Sequence, residues 1–129
     1  MPPSSRFLLL VAAAAYAWVA WAGLTDPMAL VRTVGLASAD AHATSEIRAS
    51  YGGQSLALTV LFAAGAWRTS HTRHALVLLA AICGGLSAGR AMDALLAGLP
   101  SPFILGLWMF ETVMAAGAVL LLRRKGEPV

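Results

Sequence analysis

Glu46, Arg48, Arg90, Asp93 and Glu111 are ionisable side chains set in stretches of sequence that are otherwise apolar. At the middle of a membrane-spanning helix such a charge costs about 2.5 to 3.5 kcal/mol, so charges retained there pair with one another, relay protons or hold a polar ligand. At 100° per residue, Cys83, Ser87 and Arg90 share one helix face, with Asp93 a turn beyond Arg90 at i+3. Arg48, Tyr51 and Ser55 line one side of an earlier stretch, with Gln54 adjacent. Trp108, Glu111, Ala115 and Ala118 share a side of a later one, and Thr112 stands beside Glu111. Two chemistries fit this set. In one, arginine–carboxylate pairs fix helix register and nothing else; in the other, the set lines a cavity that opens outward and binds a polar or amphipathic molecule. Read singly, Glu46 is an exposed acid at a helix start and Tyr51 an interfacial anchor.

The elements that must position these residues follow from composition. The chain has 129 residues, 59% hydrophobic and 12% charged, about half the charge of an average soluble domain. A water-soluble core of this size cannot hide so much apolar surface, so lipid must cover the rest. A helix rising about 1.5 Å per residue needs roughly 20 apolar residues to cross some 30 Å of hydrocarbon. Four stretches meet that requirement, at about 7–24, 46–67, 74–96 and 102–122. The expected fold is all-α: a single domain over 1–129, built as a transmembrane four-helix bundle with a short interfacial helix in the first external loop.

The first stretch also resembles a secretory signal peptide, with Arg6, an Ala-rich core and small residues at Ala22 and Gly23. Its length, and Tyr16, Trp18 and Trp21 near its far end, favour a retained span with an aromatic belt. In the long first connection, Thr25, Asp26 and Pro27 form a cap followed by proline at the first helical position. A short helix from Pro27 to about Val34 follows, with Met28, Val31 and Val34 on one face and Gly35 as its stop. Ser45 is the expected cap of the second span, with Glu46 at the positive end of the helix dipole.

Charge sets the expected topology. Arg68, His71, Arg73 and His74 occupy the link between spans two and three, and Arg123, Arg124 and Lys125 follow span four. Arg6 precedes span one, the turn from Leu96 to Ser101 is uncharged, and Arg32 in the first loop is balanced by Asp26 and Asp40. The positive-inside bias therefore places both termini and the middle link in the cytoplasm of a bacterial inner membrane. On this topology Glu111, roughly 13 Å into span four, and Arg90, roughly 9 Å from Leu96, both lie in the outer half of the membrane.

Other classes of function find little support. The net charge of +3 comes from bases spread singly between apolar blocks, not from one basic face, so no nucleic-acid partner is expected. Cys83 is the only cysteine and reads as a small packing residue. His42, His71 and His74 fall at or outside the membrane surfaces, without metal-ligand spacing, so no cofactor is expected. Gly85 and Gly89 form a G-x-x-x-G step, and Gly106 and Gly117 punctuate span four; such steps pack helices within one bundle or between protomers.

The run Glu46-Ile47-Arg48-Ala49-Ser50-Tyr51-Gly52-Gly53, with Gly89-Arg90, Asp93 and Glu111, resembles a family of small bacterial four-span membrane proteins of unknown function, distantly similar to the DoxX-like four-helix membrane proteins. The resemblance extends from span one to span four and implies a fold without an activity. Ala94 follows Asp93 where the resemblance leads one to expect glycine.

Three functions remain to be separated. The first is a binding or accessory protein whose partners are membrane lipid, an amphipathic small molecule, a second copy or a larger membrane complex. The second is a small proton-coupled transporter, similar in plan to the small multidrug exporters. Those use a glutamate in the first span, however, whereas no ionisable residue follows Arg6 in the first span here. The third is a membrane isomerase or hydrolase with Glu111 or Asp93 as general acid or base, although the sequence offers no nucleophile–base pair and no phosphate loop.

Overall fold

A computed structural model describes residues 2–35 and 41–124, without the side chains of 41 and 42. Asp40, Lys125 and the side chain of His42, invoked above for topology and surface placement, lie outside what is described. The elements are α1 (Pro3–Thr25), α2 (Pro27–Thr33), α3 (Ala41–Ile47), a π-helical segment (Arg48–Gly53), α4 (Gln54–Trp67), α5 (Thr69–Ala97) and α6 (Pro102–Arg124). No strand occurs among the described residues.

Three of the helices, α1, α5 and α6, are long and apolar enough to cross a membrane. Only 22–28% of their apolar windows is buried within the chain, so most of that apolar surface faces outward. The expected second span is built differently. Its α-helical part, α4, has 14 residues and rises about 21 Å, and it continues without interruption from the π-helical segment and α3. Ile47 and Gln54 both keep right-handed helical angles, so Ser45 lies inside α3 and does not cap the span as expected.

The residues fall into two compact units, Met1–Leu9 with Ala64–Val129, and Leu10–Ala63. In the second, Phe62 is fully buried and its ring meets Tyr16 at 5.4 Å, tilted by 52°. The end of α1 and the π-helical segment approach closely in this unit: a Cβ on Gly23 would stand 2.7 Å from the Gly52 nitrogen, and one on Gly52 would strike the Leu24 side chain. Asp26 accepts a hydrogen bond from the Ala29 amide at 3.0 Å, and Pro27 opens α2, as the cap pattern predicts. Gly35, at φ 82°, follows its last turn. Val31 of the expected Met28–Val31–Val34 face is buried and Met28 and Val34 are half-buried, with Pro27 and Leu30 buried beside them, and the Thr44 hydroxyl of α3 donates to Met28 Sδ at 3.8 Å. α2 packs against α3 and the π-helical segment.

In the first unit, Leu9, Leu76, Leu79, Cys83, Met114 and Ala118 are among the buried side chains. The link before α5 is shorter than the sequence suggests. Arg68 alone is extended, and His71, Arg73 and His74 belong to the first turns of α5, which begins at Thr69 rather than near His74. The reversal strands the Gly65 carbonyl at the end of α4, and the fully buried Thr72 hydroxyl donates to it at 2.9 Å. Gly65 has no room for a side chain, because a Cβ there would collide with Ala75. At the far end of α5, Gly98 at φ 91° stops the helix, and Pro102 opens α6.

Candidate functional site

The α5–α6 hairpin holds the polar side chains that the apolar composition made conspicuous. Arg90 Nε donates to Glu111 Oε2 at 2.8 Å and Nη2 donates to Oε1 at 3.0 Å, a two-pronged pair matched to the planar guanidinium. The Glu111 side chain is 10% exposed and that of Arg90 26%, so the acid is the more deeply enclosed partner. Asp93, expected beside Arg90 at i+3, is exposed and stands outside the pair. The reason is geometric: Arg90 turns toward α6, where the enclosed carboxylate has more to gain from it.

One turn away, the Ser87 and Thr112 hydroxyl oxygens stand 2.7 Å apart, Trp108 Nε1 donates to Ser87 Oγ at 3.0 Å, and the Thr112 hydroxyl donates to the Trp108 carbonyl at 2.8 Å. Ser87 and Thr112 each lie ten residues from the near end of their helix, about 15 Å by helical rise, so the hydroxyls meet at one level. Small side chains surround them. Ala80, Gly84, Ala88 and Ala91 on α5 and Ala115, Ala116 and Val119 on α6 line an open groove of about 780 Å³, with Ser87, Trp108 and Thr112 in its wall and Arg123 at one end. The groove exists because alanine and glycine occupy the positions where larger residues would close the space between two antiparallel helices.

Ser87, Arg90, Trp108 and Glu111 are thus brought together. Glu46, Arg48, Tyr51 and Gln54 belong to the other unit. There Glu46 Oε1 accepts a hydrogen bond from Ser50 at 3.1 Å, while Arg48, Tyr51 and Gln54 are exposed. Thr112 is a site residue that reading the charges alone passes over. Its signal in the sequence was its level, since Ser87 and Thr112 are equidistant from the Gly98–Ser101 turn that pairs the two helices. A Cβ added to Gly85 or Gly89 would meet nothing within 4 Å among the described residues.

No curated protein and no solved structure matches the chain. A family model described as a domain of unknown function (DUF4345) matches residues 4–122, nearly the whole length, and the chain belongs to that family.

Proposed function

We propose that this protein is a four-span membrane protein of a bacterial inner membrane, both termini cytoplasmic, that binds an amphipathic small molecule in the α5–α6 groove. α1, α5 and α6 supply three spans and the continuous run from α3 through α4 the fourth, its π-helical turn lying toward the external end. One observation carries the binding reading: a hydroxyl cluster opens into a groove of otherwise small, apolar side chains, on helices long and apolar enough to sit in lipid. A volume of about 780 Å³ is within the ordinary range for small-molecule sites, which are mostly apolar with a few convergent polar groups. Transport, and catalysis through Glu111, would draw on a carboxylate whose two oxygens are already held by Arg90, and Asp93, the other candidate acid, is exposed and lines no part of the groove.

Native mass spectrometry of gently extracted protein, with lipid identification, tests this reading. A single class of bound molecule is expected, and Ala88→Phe, which fills the groove, should release it. An empty wild-type protein overturns the proposal. So does an empty homodimer whose contact is abolished by the same substitution, which would assign the groove to a second copy.

A further inference from the structure

In the Ser87–Thr112–Trp108 cluster every proton has a destination. The Trp108 indole has one N–H, and it points to Ser87 Oγ at 3.0 Å. Thr112 Oγ1 lies 2.8 Å from the Trp108 carbonyl, an atom that can only accept, so the Thr112 hydroxyl is the donor there. That hydroxyl has a single proton. In the 2.7 Å contact between the two hydroxyls, Ser87 must therefore be the donor, and the direction of the whole chain is fixed from indole to serine to threonine to carbonyl. Each hydroxyl oxygen keeps one lone pair and no free hydrogen. The nearby acid, Glu111, has both oxygens bonded to Arg90.

From this bookkeeping of protons we infer that the hydroxyl cluster, which lies about 16 Å along α6 from the donor-bearing Arg123 at the groove's end, selects amphipathic molecules whose polar group donates a hydrogen bond, a hydroxyl or an amine, over those that only accept, such as ketones, esters and ethers. The inference rests on the binding reading given above and narrows it to a ligand class. To offer a donor instead, Trp108, Ser87 or Thr112 would have to release the acceptor it now holds, so the discrimination equals about one hydrogen bond, roughly three- to tenfold in affinity. Successive donation round the chain also polarises each hydroxyl oxygen, which strengthens it as an acceptor.

The test uses a Trp18→Phe, Trp21→Phe, Trp67→Phe protein in lipid nanodiscs, leaving Trp108 as the fluorophore. Quenching is compared between a dibrominated C18 alcohol and its methyl ether, which share the brominated chain and differ in the donor. The alcohol is expected to quench at a three- to tenfold lower mole fraction, and Thr112→Val should abolish the difference while both still quench. Equal quenching by the two, or stronger quenching by the ether, overturns the donor preference and leaves the groove reading standing. If neither quenches beyond the level seen with Ala88→Phe, the groove reading itself falls and the preference with it.

Discussion

Arg90 grips Glu111 through both carboxylate oxygens, and the two partners are unequally enclosed, with side chains 26% and 10% exposed. Removing either one leaves the other charged, but the consequences differ. Arg90→Leu strands the enclosed acid and is expected to cost about 3 to 5 kcal/mol. Glu111→Gln leaves a long, partly exposed side chain that can reach toward the interface and still donate to the new carbonyl. Its expected cost is roughly half as great. Melting of the detergent-solubilised variants by size exclusion after heating checks the order, and a lower midpoint for Glu111→Gln than for Arg90→Leu would refute it.

The glycines separate into two groups. Gly23→Ala drives a methyl group against the Gly52 backbone, and Gly65→Ala drives one into Ala75, so both are expected to lower the melting midpoint by several degrees. Gly85→Ala and Gly89→Ala meet open space and should leave it unchanged or slightly raised. Thermal melts of the four single variants decide the matter, and a loss at Gly85 equal to that at Gly23 would show that α5 meets another helix there.

Ser5 is fully buried and its hydroxyl has no hydrogen-bond partner. Ser5→Ala removes an unsatisfied polar group without opening a large void, and is expected to stabilise the protein by about 1 kcal/mol. A lowered midpoint would mean that the hydroxyl is bonded in the folded protein.

For topology, single cysteines replacing His71 and Leu99 in a Cys83→Ala background should label from opposite sides. His71 is predicted to be cytoplasmic, because it lies beside Arg68 and Arg73, and Leu99 external. Labelling of intact cells with an impermeant maleimide reads this out, and reaction at position 71 but not at 99 reverses the orientation.

Apolar length alone made α1, α5 and α6 legible in the sequence, and the Asp26–Pro27 cap was legible from residue type. The Arg90–Glu111 pair was within reach of the same reasoning, since two opposite charges at similar depth on neighbouring helices have few other partners. The direction Arg90 takes was not, because helical spacing places Asp93 near Arg90 and says nothing about which way a flexible guanidinium turns. Arg68 as a one-residue link was hidden for a related reason: His71, Arg73 and His74 are polar, yet polar residues continue a helix readily once it has left the apolar layer. The wide turn at Arg48–Gly53 was hidden too, because a change of hydrogen-bond spacing leaves no mark in hydropathy.

That wide turn has a consequence for how the helix can vary. Its closing bond runs from the Gln54 amide to the Ala49 carbonyl, five residues back instead of four, so the helix accommodates one residue more than an α-helical turn would. It behaves as an absorbed insertion. Gly53 is itself loosely surrounded, since even with a side chain it would touch only the Arg48 carbonyl. Deleting it would allow an unbroken α-helix from Ala41 to Trp67, but would swing everything before it by about 100° around the axis. Gly52 would then leave its place against Gly23, and Glu46 and Arg48 would be carried to another side. A single residue thus separates two phases of one helix, and the chain as it stands uses the one that seats Gly52 against Gly23.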